Sequence, residues 1–143
     1  SDERQYNAPG IALPVCAVCR SKYGEYPEYH TSKDDMGLVS PSGLRGSYEV
    51  YHDMIEVLEY NHKYKVNCLG EPQLGRRGLY PTVSRKGNYD AVRGMTNFIA
   101  YADGMNDLID ISNMIQIPSQ ELLPIIDKLQ EVRLISLVEE KEA

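Results

Sequence analysis

The sequence predicts an α/β protein in two parts, in which short strands and one long helix precede a group of three short helices. Three observations support this prediction. Apolar runs typical of short strands occur at Ile11–Val18, Val66–Leu69 and Leu134–Val138, a helical apolar period fills residues 41–61, and glycine and proline are concentrated in residues 70–88.

The glycine- and proline-rich segment separates the two predicted domains. We assign residues 1–80 to the first domain, residues 81–88 to a connector and residues 89–143 to the second domain. A chain of 143 residues is long enough for one or two small domains.

Charge and composition exclude several classes of partner. The chain carries 15 basic and 21 acidic side chains, a net charge of −6, and neither domain has the basic excess that phosphate binding requires. No apolar run approaches the length of a membrane span. Three cysteines, an odd number, argue against a disulfide framework and favour a reducing compartment. We therefore expect a cytoplasmic protein that binds neither nucleic acid nor membranes.

The long helix is predicted from the spacing of its apolar residues. Ser40 or Ser42 can cap the helix, and Pro41 is tolerated in its first turn. The apolar side chains recur at spacings of four, three, four and three, which places them on one side of a helix from Pro41 to Asn61. They are Leu44, Tyr48, Tyr51, Ile55 and Leu58.

The second domain has the order of elements that is typical of a winged helix-turn-helix. The first helix begins near Asp90, and the segment 103–107 supplies a turn and a helix cap at Asn106. The third helix covers Ser119 to Val132, and Pro124 either opens this helix or lies in its first turns and kinks it. Three short helices, a tight turn before the third and a strand after it predict this fold.

His30 is the residue of the first predicted domain that could take part in the most kinds of chemistry. Taken alone, a histidine among acids and hydroxyls is explained by a surface or partly buried side chain that bonds to a neighbouring acid. Its surroundings favour a second interpretation. The stretch Tyr29-His30-Thr31, followed by Asp34 and Asp35, resembles the segment that supplies the last zinc-binding histidine of di-zinc aminopeptidases and glutamate-carboxypeptidase-type enzymes.

Four motifs in order extend this resemblance over essentially the whole chain. The sequence resembles the C-terminal part of bacterial di-zinc aminopeptidase-like proteins, in a subgroup that is associated with polysaccharide biosynthesis and carries a C-terminal winged helix. The motifs are DERQY at Asp2–Tyr6, YGEYPEYHTS at Tyr23–Ser32, GEPQLGRRGLYP at Gly70–Pro81 and the three-helix unit at about 90–138.

The resemblance implies a fold, a site and a reaction. Residues 1–80 would complete a mixed-sheet aminopeptidase-like domain, and residues 89–143 would form the winged helix. Asp2 and His30 would each bind one of two zinc ions. The remaining ligands and the general-base glutamate would come from the longer parent protein, so we expect no catalytic residue and no peptidase activity in these 143 residues alone. The substrate of the parent would be a peptide or another amide.

Two other groups offer rival sites. Cys16 and Cys19 could open a structural zinc site, but Cys68 lacks a paired cysteine, and we expect three buried free thiols. Arg76 and Arg77 could bind a carboxylate or phosphate, although a structural role is favoured.

The alternative function is a non-catalytic protein-interaction module built on an acidic winged helix. The third helix carries Glu121, Asp127 and Glu131 against Lys128, a balance that is unfavourable for DNA. Such a module could hold a protein partner or a second copy of the chain.

Overall fold

The computed structural model describes the backbone of residues 2–80 and 88–138, and the side chains of the same ranges except residues 88–91. The chain divides into two compact units, Ser1–Val50 and Tyr51–Ala143. Most of the predicted connector, residues 81–87, lies outside the described residues. No helix within the described ranges is both long and apolar enough to cross a membrane.

The first unit has little regular structure. Helix α1 covers Asp2–Tyr6, and turns and coil then continue to the start of helix α2 at Pro41. The prediction of a strand at Ile11–Val18 is wrong, because these residues are exposed and form no strand. An extended segment becomes a strand only when its backbone groups pair with a neighbouring strand, and residues 2–50 contain none. No side chain described in this unit is buried.

The long helix is confirmed, but its burial differs from the usual amphipathic pattern. Helix α2 covers Pro41–Tyr60, and the Ser40 hydroxyl accepts a hydrogen bond of 3.1 Å from the backbone N–H of Gly43. The buried residue of the helix is Val57. The predicted apolar face is exposed along its whole length, at Leu44, Tyr48, Tyr51, Ile55 and Leu58.

The second unit is built on a small antiparallel sheet. Strand β1 covers Lys63–Val66, β2 covers Asp103–Asp107 and β3 covers Ile135–Leu137, in the spatial order β2-β1-β3. The strand predicted at Val66–Leu69 is found three residues earlier, as β1 at Lys63–Val66. The strand predicted at Leu134–Val138 is confirmed as β3. Residues 63–66, which the sequence assigned to the first domain, form the central strand of this sheet.

Strand β2 was missed because its sequence resembles a turn. The segment 103–107 contains a glycine with φ +93° at Gly104 and was predicted as a turn and cap. Pairing with β1 overrides that local preference, since Lys63 lies opposite Asp107 and Lys65 opposite Asp103. Opposite charges in facing positions favour such a pair.

The three helices of the second unit follow the predicted order. Helix α3 covers Asn88–Tyr101, α4 covers Leu108–Ile115 and α5 covers Ser119–Glu131, which contains Pro124. The cap of α4 is Asp107 rather than Asn106. Its carboxylate accepts a hydrogen bond of 2.9 Å from the N–H of Asp110, in a reciprocal capping box.

One hydrophobic core holds the second unit together. Its fully buried side chains come from β1, α3, α4, α5 and the 3₁₀ helix Leu74–Arg77. Leu74 is only 2% exposed, so the segment rich in glycine and proline that separates the two predicted domains contributes to the core. The rings of Tyr64 and Phe98 meet edge to face, with 5.7 Å between their centroids. The largest fully buried side chains are Tyr64, Phe98, Leu74, Leu108, Ile111, Leu122, Ile126, Leu129 and Leu134.

Tyr64 should make the stability of this unit sensitive to alkaline pH. Burial, reinforced by the charges of Tyr60 and Asp127, raises the pKa of Tyr64 to about 12. The folded protein keeps this proton above the ordinary tyrosine pKa of about 10, so stability that is present below about pH 10 is lost as pH rises towards about 12. We expect the free energy of urea unfolding to fall by about 1 kcal/mol from this group between about pH 9 and about pH 11.

The matched substitutions separate this contribution from the titration of other tyrosines. Tyr64→Phe removes the group and should reduce the alkaline loss, whereas Tyr101→Phe, at an exposed position, should leave it unchanged. An equal alkaline loss in wild type and Tyr64→Phe would contradict the assignment.

Candidate functional site

His30 is exposed and stacks against the ring of the preceding residue, Tyr29. The residue is exposed and adopts a left-handed backbone with φ +57°. Its ring stacks on Tyr29, with 4.1 Å between centroids and 14° between planes. Stacking uses the face of the imidazole and leaves the two nitrogens at its edge available, which fits a zinc ligand.

The loop around His30 is held by local contacts. Tyr29 also contacts Tyr23 and Tyr26, at centroid distances of 6.0 and 5.8 Å. The Thr31 hydroxyl donates a hydrogen bond of 2.8 Å to the carbonyl oxygen of Glu28. The contacts of Tyr29 with the other two tyrosines and the hydrogen bond of Thr31 therefore hold the loop segment on which the His30 ring stacks.

The acids near His30 have local structural partners. Glu25 forms an exposed ion pair of 3.2 Å with Lys22, and a carboxylate oxygen of Asp35 accepts a hydrogen bond of 2.7 Å from the N–H of Gly37. Glu28 accepts the bond from Thr31 through its backbone. Glu25 is thus a solvent-exposed side chain paired with Lys22.

Asp2 is the first residue of α1 and is exposed. Its carboxylate is a suitable zinc donor by chemistry. Across residues 2–80 and 88–138, however, neither Asp2 nor His30 belongs to a set of three or more acid, histidine or cysteine side chains with ligand atoms within 4.8 Å. The described chain brings no complete zinc site together around either residue.

Sequence reasoning missed a different cluster on α2. His52, Asp53 and Glu56 place their ligand atoms within 4.8 Å of one another, and all three side chains are exposed. Their one- and three-residue separations on a helix could have revealed them. Exposed acids of this kind are common on solvated helix surfaces, and we assign the cluster no binding role.

The cysteines are free, as predicted, but the prediction that they are buried is wrong for two of them. Cys16 and Cys19 are exposed, and Cys68 is half-buried. The apolar run around the first two forms no strand, so nothing in the first unit covers them. None of the three joins a three-ligand cluster in the part of the chain that the structure describes.

Arg76 and Arg77 lie in the 3₁₀ helix, with both side chains exposed. The guanidinium of Arg77 donates a hydrogen bond of 3.0 Å from Nε to the carbonyl oxygen of Pro72. This contact ties the segment to itself and supports the favoured structural role of Arg77.

Helix α5 occupies the position of a recognition helix but carries an acidic surface. Glu121, Asp127 and Glu131 are exposed beside Lys128, and Asp127 accepts a hydrogen bond of 2.9 Å from the Tyr60 hydroxyl. That contact and the neighbouring negative charges raise the pKa of Tyr60. The exposed charge of the helix is unfavourable for a phosphate backbone.

The three-helix unit with its antiparallel sheet defines a winged helix-turn-helix domain. The chain belongs to the winged helix-turn-helix family, which matches residues 62–137. A second family, described as a domain of unknown function, matches residues 1–61.

Two relatives connect the chain to larger proteins. It is 37% identical over 140 residues to a Clostridium acetobutylicum protein that is provisionally named a polysaccharide biosynthesis protein with an aminopeptidase-like domain. It also superposes with a TM-score of 0.78, at 36% identity, on a crystal structure from C. acetobutylicum that is provisionally named a peptidase. Both matches cover 96% of the chain, which spans 32% of the first relative and 30% of the second. The predicted resemblance to the C-terminal part of aminopeptidase-like proteins is thus supported over nearly all of the chain.

Proposed function

We propose that this chain is the C-terminal part of a zinc-dependent, aminopeptidase-like hydrolase that cleaves a peptide or related amide. The observation that supports this most is the 37% identity, across 96% of the chain, to a protein with an aminopeptidase-like domain. Asp2 and His30 lie within residues 1–61, which match the family described as a domain of unknown function.

In this proposal Asp2 and His30 each hold one of two zinc ions. When bound, zinc supplies a Lewis acid for the scissile carbonyl and lowers the pKa of a water molecule. His30 would bind through an edge nitrogen, and the Tyr29 ring stacked against it at 4.1 Å would limit its rotation. Asp2 would supply a carboxylate oxygen from the start of α1.

The number of ligands limits what the chain does by itself. A catalytic zinc site commonly has three protein ligands and an open position. One ligand on each of two metals is too few, so the other ligands and the general-base glutamate belong to the rest of the longer protein. We therefore expect the 143-residue chain to show no hydrolysis alone.

The proposal predicts that the activity of the longer protein depends on metal. Purified full-length protein should contain about two zinc ions per chain and should hydrolyse aminoacyl or peptidyl amides, and a chelator should remove both the metal and the activity. Zinc is measured by mass spectrometry and hydrolysis by release of the amine. Re-addition of zinc is the control for damage by the chelator. Full activity in metal-free protein would contradict the proposal.

The second unit is proposed to serve protein contacts rather than nucleic-acid binding. The exposed acids of α5 oppose a phosphate backbone, and a protein-interaction module remains the alternative function of the chain. We also propose a cytoplasmic location, which the odd number of cysteines supports because it argues against a disulfide framework.

A further inference from the structure

One side of helix α2 exposes apolar side chains in the second unit. Met54, Ile55 and Leu58, which we call the α2 stripe, are spaced so that they share one side of the helix. Ile55 is 59% exposed and Leu58 is 61% exposed. Burying three such side chains would remove on the order of 300 Å² of apolar surface from water.

Most of the α2 stripe is turned away from the side of the helix that packs on the winged helix core. Around the helix axis, the buried residue Val57 is about 160° from Ile55, about 100° from Leu58 and about 60° from Met54, so Met54 forms the edge of the stripe nearest the core. The Tyr60 hydroxyl bonds to α5 through Asp127, and Asn61, just beyond α2, donates a hydrogen bond of 3.3 Å to Asp107. The helix therefore reaches the core of its own unit without using Ile55 or Leu58.

The first unit shows the same excess of exposed apolar surface. None of the side chains described in residues 2–50 is buried, although Ile11, Leu13 and Leu44 are large and apolar. A unit with no buried side chain has no core of its own to stabilise it. The relatives are about three times as long as the matched region, since the chain spans 32% and 30% of them.

We propose that the α2 stripe packs against an apolar surface of the remaining two-thirds of the longer protein. A second copy of the chain fits less well, because the stripe would bury roughly 600 Å² over both copies, below the roughly 1,200 Å² of a stable interface. An attached domain needs less area, since linkage makes the contact intramolecular. This packing goes beyond the proposed chemistry and does not depend on zinc.

Oxidation of methionines in the full-length protein tests the packing directly. Met54 belongs to the α2 stripe. Met114 lies on α4, has a similar exposed fraction in this structure and serves as the comparison residue outside the stripe. Hydrogen peroxide is added, and the oxidation rate of each methionine is measured by peptide mass spectrometry relative to the same residue in urea-unfolded protein. We expect Met54 to oxidise at least about tenfold more slowly than when unfolded, because oxidation follows exposure. A rate within about threefold of the unfolded rate overturns the proposal.

Two further measurements identify what covers the stripe. Protection of Met54 that disappears on dilution, together with dissociation of a dimer in light scattering, would assign the surface to a second copy and overturn the proposal. The double variant Ile55→Glu with Leu58→Glu should restore fast oxidation of Met54, whereas Leu69→Glu, at a fully exposed position, should not. Continued protection in the double variant also overturns the proposal. If the double variant fails to fold, the wild-type rates still decide.

The test is independent of the proposed zinc site. The oxidation rates are measured in both zinc-containing and metal-free protein, and protection is expected in each. An absence of zinc with a protected Met54 would refute the chemistry alone. A full complement of zinc with a reactive Met54 would refute the packing alone.

Discussion

Phe98→Ala should destabilise the winged helix unit by about 3–5 kcal/mol, the range for removing a fully buried phenylalanine. Phe98 is completely buried on α3 and packs edge to face against Tyr64. Alanine would remove the ring from this contact and leave a cavity in the core. A loss of this size is a large fraction of the 5–15 kcal/mol by which a typical domain is stable.

Urea unfolding followed by far-ultraviolet circular dichroism measures this effect, since the chain has no tryptophan for fluorescence. Met105→Ala is the matched control because Met105 is 75% exposed on β2. The control should change the free energy of unfolding by less than about 0.5 kcal/mol. A loss below about 1 kcal/mol for Phe98→Ala would show that the ring is not at the centre of the core.

His30→Ala in the full-length protein should lower the zinc content from about two ions to about one and reduce hydrolysis by roughly a hundredfold or more. Removing a group that only orients a metal ligand typically lowers metal affinity or activity by about 10- to 100-fold. Removing the ligand itself should lower them at least as much. His30 is exposed, and no side chain described in its own unit is buried, so the melting temperature of metal-free protein should hardly change.

The control for this variant is His62→Ala. His62 is also exposed but lies beside β1, where its ring meets Tyr64 at a centroid distance of 6.5 Å. Its removal should leave zinc content and hydrolysis unchanged. Two zinc ions and full activity in His30→Ala would remove His30 from the site. Asp2→Ala, measured in the same way, tests the second proposed ligand.

Helices were predictable from this sequence because their signals are local. The period of apolar residues predicted α2 within one residue at its C-terminus, and Pro118 marked the start of α5. The order of three helices, a turn and a strand was enough to predict the winged helix-turn-helix. The proposal that Asp2 and His30 bind zinc came from resemblance to a family, and local patterns in the sequence did not supply it.

Strands and burial were less predictable because they depend on distant partners. β2 has the composition of a turn and forms because β1 lies beside it, with lysines facing its aspartates. Leu74 sits in a segment rich in glycine and proline, yet it fills a place in the core. Cys16 and Cys19 lie in an apolar run but are exposed, since the first unit has no layer to cover them.

The sequence alone determined which side of α2 is apolar, the helical order of the second unit and its acidic charge, because period, caps and charge are properties of neighbouring residues. Only the tertiary structure decided which apolar residues are buried. It placed Val57 in the core and left the α2 stripe exposed, since burial depends on what packs against a helix from elsewhere in the chain.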